Sequence, residues 1–177
     1  MISLTLSFTA HAIETDFAFH QGSESDTQGL SISIADRFTK SSNFYWAVGY
    51  SYLDDVKVEW NNSDLFFKVD TVDAIVSYRY KPKSYDQFMK QITLEYQLGA
   101  TIALTENKFV WPELDEEKYF SESNDINPML GFNIHYDMSK KTSIKVGFKY
   151  QPSFSEFDDI TSVYFGFSYK FGKQVGY

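Results

Sequence analysis

The stretch LGFNIHYD, residues 130–137, alternates strictly between bulky apolar side chains and small or polar ones. The apolar positions are Leu130, Phe132, Ile134 and Tyr136. The positions between and after them are Gly131, Asn133, His135 and Asp137. Successive side chains of a β-strand point to opposite faces, so this alternation predicts a strand with one apolar face. Similar alternation recurs at residues 17–19, 30–34, 44–52, 72–80, 92–102, 144–150 and 163–171. The sequence therefore predicts an all-β chain of eight strands.

The second face of these strands indicates which solvent surrounds the first. It is repeatedly Gly, Ala, Ser or Thr with few charges, and small side chains suit the crowded interior of a barrel of about eight strands. A soluble sheet would carry long charged groups on its wetted face. The chain also has 17 Phe, 13 Tyr and 3 Trp, and aromatic side chains are typical of membrane interfaces. The apolar face is therefore expected to meet lipid.

Closure of the sheet follows from that solvent. An open strand edge in hydrocarbon leaves backbone N–H and C=O groups without hydrogen bonds, which is costly. We predict an all-β, eight-stranded antiparallel up-and-down transmembrane β-barrel, placed in a Gram-negative outer membrane. A soluble lipocalin-like barrel, with its apolar face turned inward around a ligand, is the alternative fold.

Composition excludes several other classes of protein. The chain has 177 residues and a net charge of −8, so no nucleic-acid partner is expected. It has no cysteine, which excludes a disulfide framework and thiolate chemistry. No apolar run approaches the roughly 18 residues of a membrane-spanning helix.

The first twelve residues resemble the end of a secretory signal peptide. Residues 2–8 form a short stretch in which the apolar Ile2, Leu4, Leu6 and Phe8 predominate, and Ala10-His11-Ala12 places small residues where a signal peptidase reads them. We expect 1–12 to be a signal-peptide remnant, 13–171 the barrel and 172–177 a short tail. An ordinary first strand is the alternative reading of the amino terminus.

The predicted connections differ in length between the two ends of the barrel. Segments 39–43, 81–90 and 139–142 are expected to be the periplasmic links. Segments 22–29, 54–70, 105–125 and 153–159 are expected to be external, with strands continuing through 54–70 as a protruding sheet. Short periplasmic turns and longer external loops are typical of outer-membrane barrels. The external segments hold 17 acidic and 4 basic residues, a bias that ordinary solvated loops also show.

Charged residues on the inward parity predict a filled lumen. They are Glu14, Asp16, His20, Arg37, Asp73, Arg79, Glu95, His135, Asp137, Lys145, Lys149 and Lys170. Buried charges of both signs must pair, because an unpartnered one is costly. We expect Arg37 and Arg79 to bridge to Glu95 and neighbouring carboxylates, forming a salt-bridged plug. A polar conduit is the alternative.

The external loops contain aromatic residues among the acidic ones. The candidates for an external surface are Trp60, Phe66, Phe67, Trp111, Tyr119 and Phe120. Exposed aromatic side chains ringed by charge mark binding surfaces. Packing of the loops against one another is the competing interpretation. The carboxylates also raise a weaker hypothesis, divalent cations shared with lipopolysaccharide.

The end of the last strand carries a recognisable pattern. Tyr169-Lys170-Phe171 closes it with an aromatic, any-residue, Phe motif. Here the chain resembles the small eight-stranded outer-membrane barrels of the OmpA transmembrane-domain and OmpX type, over residues 13–171. The resemblance implies a recognition signal for the barrel-assembly machinery at Val163, Phe165, Phe167, Tyr169 and Phe171. It departs from the family where 172–177 extend beyond the terminal Phe. The expected partners are outer-membrane lipids, lipopolysaccharide, that machinery and an unidentified surface ligand.

Catalysis and metal binding have weaker signals. His20 precedes Ser23, Ser25 and Asp26 near the external end, a set that could support acyl transfer on lipid A. The His-x-Ser spacing of the lipid A deacylase is absent, however, and no metal-ligand spacing occurs. We therefore predict a protein without catalytic residues, metal or cofactor, in an envelope-structural or surface-interaction role. A narrow small-solute channel is the first alternative and a lipid A-modifying acyl enzyme the second.

Overall fold

The computed structural model describes residues 13–22, 27–60, 63–111, 116–152 and 159–171. The chain is all-β, as predicted, and one short 3-10 helix, Met89–Gln91, lies in the described part. The strands are β1 (Glu14–Gly22), β2 (Gln28–Arg37), β3 (Phe44–Trp60), β4 (Ser63–Tyr80), β5 (Ile92–Ala103), β6 (Asn107–Trp111), β7 (Glu116–Ser121), β8 (Ile126–Asp137), β9 (Thr142–Pro152) and β10 (Asp159–Lys170). The amino-terminal segment 1–12 and the tail 172–177 lie outside the described residues.

Eight of these strands close into one antiparallel barrel in the order β1-β10-β9-β8-β5-β4-β3-β2. Each strand pairs with its neighbours along the chain, and β1 closes the sheet on β10 with Phe17 opposite Phe167. The predicted eight-stranded up-and-down barrel is thereby confirmed. Closure of the sheet leaves no free strand edge, whose backbone N–H and C=O groups would find no hydrogen-bond partner in hydrocarbon.

The two faces of the barrel differ as the alternation predicts. Outward side chains are apolar and exposed: Phe17 and Phe167 have 52% and 44% of their surface exposed. The inward neighbours Ala18 and Ser168 are buried. The alternative fold, a soluble barrel with an inward apolar face, is therefore wrong. The band of apolar side chains on the outside of the barrel suits the lipid of a bilayer. Among the described residues, no helix combines the length and the apolar character that crossing a membrane requires.

The two ends of the chain's described part meet at one rim. The Phe171 amide donates to the Ile13 carbonyl at 2.7 Å. The connections between β2 and β3, β4 and β5, and β8 and β9 lie at the same rim. Following the orientation that the sequence predicts, we call this end the periplasmic rim and the opposite end the external rim.

At the external rim, β3 and β4 are much longer than a membrane crossing of about 9–11 residues requires. They have 17 and 18 residues, and their upper parts pair with each other from Val56–Phe67 to Trp60–Ser63. The register shifts between Leu53 and Val56, where Asp55 adopts a φ of 54°. Such a bulge bends the strand and increases its twist. The protruding sheet predicted for 54–70 is confirmed.

A second hairpin was not predicted. Strands β6 and β7 pair antiparallel within segment 105–125. The sequence analysis predicts a loop for this segment. Two short runs of β-favouring residues, 109–111 and 118–120, flank Pro112 and acidic residues and could have indicated it. We call the upper β3–β4 hairpin and the β6–β7 hairpin together the external platform.

The β3–β4 hairpin of the external platform rests on a small hydrophobic core, which we call the platform core. Its buried members are Leu53, Val56, Val69, Ala103 and Ile160, with Leu65 and Phe67 packed against them. These residues come from β3, β4, β5 and β10. The core therefore joins the protruding hairpin to the top of the barrel.

Candidate functional site

The lumen is organised around the carboxylate of Glu95 on β5. Its Oε1 accepts hydrogen bonds from Arg79 Nε at 2.8 Å and Ser77 Oγ at 2.7 Å. Its Oε2 lies 2.8 Å from Asn133 Nδ2 and 2.7 Å from His135 Nε2. Strands β4, β5 and β8 are neighbours, so alternate inward positions on them bring these groups together. Gln97 Nε2 donates to Oε2 as well, at 3.4 Å. Five partners thus satisfy the hydrogen-bonding capacity of this carboxylate, which would be costly to bury without them.

Arg79 crosses the lumen to a second carboxylate. Its Nη1 lies 2.8 Å from Glu14 Oε2 on β1, and its guanidinium lies 4.0 Å from the centre of the Tyr45 ring. Arg37 does not join it. Arg37 is exposed at the periplasmic rim and donates to Tyr45 Oη at 2.6 Å and to the Lys40 carbonyl. The predicted bridge from Arg37 to Glu95 is wrong, because Arg37 lies at the end of β2, where its side chain reaches water.

A second ion pair joins β1 to β9. Lys145 Nζ lies 2.9 Å from Asp16 Oδ2. The same carboxylate accepts hydrogen bonds from Ser168 and Ser33. A buried ion pair offsets its desolvation only when further hydrogen bonds satisfy the remaining atoms, and the serines supply them.

A third ion pair lies nearer the external rim. Lys149 Nζ contacts both carboxylate oxygens of Asp73, at 2.9 and 2.8 Å. Ser51 and Thr71 donate to the same carboxylate at 2.6 and 3.2 Å. The pair spans the lumen from β9 to β4, which are not adjacent strands. It therefore braces opposite walls of the barrel.

We call these buried ionisable residues the lumen network; its members are Glu14, Asp16, Asp73, Arg79, Glu95, His135, Lys145 and Lys149. None has more than 8% of its surface exposed. Asp137 and Lys170, also predicted to face inward, lie at the periplasmic mouth, 3.8 Å apart and partly exposed. Asp137 also pairs with Lys81 at 3.1 Å.

The lumen network leaves little free space. The cavity among its side chains has a volume of about 40 Å³. A single water needs roughly 10–15 Å³ of such volume, so the cavity holds a few waters at most. The lumen network fits inside the barrel only because many of the other inward residues are small. A Cβ on Gly147 would lie 2.0 Å from Asn133 Oδ1, so glycine at this position leaves room for the amide that donates to Glu95.

His20 has no catalytic arrangement around it in the described residues. It is buried in the lumen, and its Nδ1 and Nε2 lie 3.1 Å from Ser162 Oγ and 2.7 Å from Ser31 Oγ. Both ring nitrogens thus contact hydroxyls rather than a carboxylate. Ser23, Ser25 and Asp26, the predicted companions of His20, lie outside the described residues. The described ranges hold no group of three acidic or histidine side chains placed to bind a metal.

The external platform presents part of the predicted aromatic surface. Phe66 and Tyr119 have 50% and 37% of their surface exposed. Phe67 instead packs against the platform core. For Trp60, Trp111 and Phe120 the backbone is described within β3, β6 and β7, and their side chains lie outside the described part.

Charged groups on the external platform form exposed ion pairs. Lys57 lies 3.1 Å from Asp64, and Lys68 lies 3.4 Å from Asp54. The hydrogen bond from the Tyr52 hydroxyl, 2.8 Å long, lowers the pKa of the Asp54 carboxyl below its ordinary value, and Lys68 acts in the same direction. Exposed pairs of this kind contribute little to stability, so the acidic groups remain available to a partner.

The last strand presents the row predicted to be an assembly signal. Val163, Phe165, Phe167 and Tyr169 point outward from β10, and Phe171 follows directly after it. All five are exposed to the surroundings of the barrel. Their role in assembly stays a prediction.

Fold and outer surface together define a small transmembrane β-barrel of the outer-membrane type. No protein-family model matches the sequence, and no curated protein matches it either. Several solved structures are similar to this chain. The crystal structure of neisserial surface protein A superposes with a TM-score of 0.57 at 14% identity, covering 90% of this chain and 96% of that one.

The attachment invasion locus protein Ail of Yersinia pestis is also similar. Its structure in a phospholipid bilayer nanodisc gives a TM-score of 0.55 at 11% identity, covering 92% of this chain and 100% of that one. Its crystal structure in complex with the heparin analogue sucrose octasulfate gives 0.52 at 14% identity, covering 90% and 97%. At these identities the likeness shows the fold. The resemblance to small eight-stranded outer-membrane barrels is confirmed at that level.

Proposed function

We propose that the protein acts without catalysis, as a surface-binding protein of the outer membrane that contacts its partner through the external platform. The observation that carries the proposal is the packed core beneath the protruding β3–β4 hairpin. A hairpin fixed by its own core presents a preorganised surface, which lowers the entropic cost of binding. The exposed Phe66 and Tyr119 offer the apolar anchors that binding surfaces favour.

Charge indicates the chemistry of the partner. The external segments 22–29, 54–70, 105–125 and 153–159, which contain and surround the external platform, hold 17 acidic residues against 4 basic ones. Ail has been crystallised with an analogue of heparin, a polyanion. An acidic surface repels polyanions, so we assign this chain the opposite preference: a basic polypeptide segment with apolar side chains.

The two rival functions receive less support from the geometry. A channel needs a continuous polar path, whereas the lumen network leaves a cavity of about 40 Å³. An acyl enzyme needs a reactive group that meets lipid, whereas His20 is buried inside the barrel. In this proposal the barrel's other partners are the outer-membrane lipids and lipopolysaccharide around its apolar band, and the assembly machinery.

The proposal can be tested with the full chain in lipid nanodiscs. Binding is measured to a synthetic peptide of Lys, Arg, Leu and Phe, to a matched peptide with Glu in place of the basic residues, and to heparin. We expect the basic peptide to bind at the external end, with an affinity that falls as salt screens the charges. Heparin or the acidic peptide bound at that end, rather than at the basic periplasmic rim, would contradict the proposal, as would a basic peptide that does not bind.

A pair of variants locates the surface. Asp64→Asn with Glu106→Gln removes one exposed carboxylate on the platform and a second that lies directly before β6. Because exposed ion pairs are worth about 0.2–1 kcal/mol each, binding should weaken roughly 2- to 30-fold. Asp86→Asn at the periplasmic rim is the matched control and should bind like the unaltered chain. Equal effects of the two variants would place the interaction elsewhere.

A further inference from the structure

The periplasmic rim has a charge opposite to that of the external end. Its segments 36–43, 81–91, 137–142 and 170–171 hold eight basic and three acidic residues. The basic residues are Arg37, Lys40, Lys81, Lys83, Lys90, Lys140, Lys141 and Lys170. A basic rim directly below a lipid-facing band lies where the headgroups of a membrane leaflet would be.

The link between β4 and β5 lies against the outer flank of the barrel. The ring of Phe88 packs on that of Tyr136 with 5.5 Å between centroids. Tyr136 belongs to the outward, apolar parity of β8, opposite Ile92 on β5. Asp86 Oδ1 accepts the Met89 amide at 3.0 Å, and the Asp86 carbonyl accepts the Lys90 amide at 3.1 Å. The hydrogen bonds fix the shape of the link, and the contact between Phe88 and Tyr136 holds it beside the lipid-facing wall.

This link contains a basic concavity of about 480 Å³. Its lining is Lys81, Pro82, Lys83, Ser84, Tyr85 and Lys90. Lys81 is paired with Asp137 at 3.1 Å. In the described part of the chain, no carboxylate lies within ion-pair distance of Lys83 or Lys90, and both are exposed. Two unpaired ammonium groups on one concave surface attract an anion.

Apolar side chains in the same link point to a lipid rather than a soluble anion. Tyr85 is fully exposed, and Phe88 and Met89 have 59% and 38% of their surface exposed. Tyr80, which ends β4 beside the link, is another exposed outward aromatic. Aromatic and basic side chains in one band are typical of membrane interfaces, where rings and lysine stems meet acyl chains below the charged headgroups.

We propose that this concavity binds the headgroup of an anionic phospholipid in the periplasmic leaflet. The phosphate contacts Lys83 and Lys90, and the acyl chains lie along the outward residues of β4, β5 and β8. This site lies at the opposite end of the barrel from the external platform, so it does not depend on the proposed surface binding.

Native mass spectrometry of the full chain, refolded in detergent, tests the site. Phosphatidylglycerol, phosphatidylethanolamine and phosphatidylcholine with identical acyl chains are the probes. We expect the protein to retain phosphatidylglycerol preferentially. Lys83→Gln with Lys90→Gln should weaken that binding about 25-fold, at roughly fivefold for each lysine near an anionic headgroup. Lys40→Gln with Lys141→Gln removes the same charge from the same rim outside the concavity and should leave the preference unchanged.

Three results would overturn the proposal. One is equal retention of phosphatidylglycerol and phosphatidylcholine by the unaltered chain. Another is an equal loss in both double variants, which would reduce the effect to the general charge of the rim. The third is binding to purified peptidoglycan sacculi that depends on Lys83 and Lys90 without any lipid preference, which would assign the concavity to cell-wall carboxylates. Retarded migration on unboiled gels verifies that each variant is folded.

Discussion

Glu95→Gln removes the charge at the centre of the lumen network while keeping the size of the side chain. In the native chain Arg79 Nε lies 2.8 Å from Glu95 Oε1. In the variant, Arg79 faces a neutral amide instead of that carboxylate. Asn133 and His135 lose a charged acceptor at 2.8 and 2.7 Å. Removing one partner of a buried ion pair costs about 3–5 kcal/mol. We expect about 3 kcal/mol, the lower end, because Glu14 still pairs with Arg79 at 2.8 Å.

A neutral hydrogen bond in the same lumen gives the matched control. Thr101 is fully buried; its Oγ1 accepts from Gln151 Nε2 at 3.0 Å and donates to the Asn127 carbonyl at 3.5 Å, a long and weak bond. Thr101→Val preserves the shape of the side chain and should cost only about 1 kcal/mol, as expected for neutral hydrogen bonds. The two variants therefore separate a charge effect from general lumen disturbance.

The assay is reversible urea unfolding of the chain in lipid vesicles, followed by tryptophan fluorescence. The free energy of unfolding should fall about three times as far for Glu95→Gln as for Thr101→Val. A double-mutant cycle with Arg79→Gln should give a coupling energy of at least about 1 kcal/mol between the two sites. If Glu95→Gln is no more destabilising than Thr101→Val, the account of the lumen as a charge-paired interior is refuted.

Further substitutions test other parts of the structure. Gly147→Ala places a methyl group 2.0 Å from Asn133 Oδ1 and should lower the free energy of unfolding by about 1–3 kcal/mol, whereas Ser143→Ala, at a buried hydroxyl with no hydrogen bond, should leave it unchanged. Phe171→Ser should reduce the amount of folded barrel in cells but not its refolding in vesicles; a loss in both assays would show that Phe171 stabilises the barrel rather than signals assembly. Tyr52→Phe should raise the pKa of Asp54 towards its ordinary 3.8, read by carbon NMR titration, because the Tyr52 hydroxyl donates to that carboxyl; an unchanged pKa would assign the shift to Lys68 instead.

The fold was predictable because one physical signal repeats along the whole chain. Alternation at residues 130–137 places Ile134 outward and Asn133 inward, and the barrel has them so. Small residues on the inward parity further predicted a narrow closed sheet, since larger ones would not fit. The two-residue period of the apolar side chains and the face on which each one lies can be read from neighbouring residues in the sequence. The closure of the sheet follows because lipid does not tolerate a free strand edge.

The partners within the lumen were less predictable. Parity assigns Arg37 and Arg79 to the same face but does not say how far each lies from the barrel's end. Arg37 ends β2 and is exposed at the rim, while Arg79, the last but one residue of β4, is buried and contacts Glu14 across the barrel. The pairing of Lys149 with Asp73 also joins non-adjacent strands, and its geometry depends on strand stagger that a sequence pattern does not contain.

The external end was predicted in part. The continuation of β3 and β4 was visible because alternation persists through residues 65–69. The β6–β7 hairpin was missed since its strands have only five and six residues and lie among many acidic ones. Short strands carry too few alternations to distinguish them from loops.

The central claim is that the apolar rows of a sealed barrel face acyl chains while charged side chains fill its interior. Methyl NMR of the chain in nanodiscs that contain lipid spin-labelled on the acyl chain tests it most directly. The account predicts faster paramagnetic relaxation for the methyl groups of Ile32, Ile134 and Val163 than for those of Ala18 and Met129. Faster relaxation of Ala18 and Met129 than of the other three would contradict it.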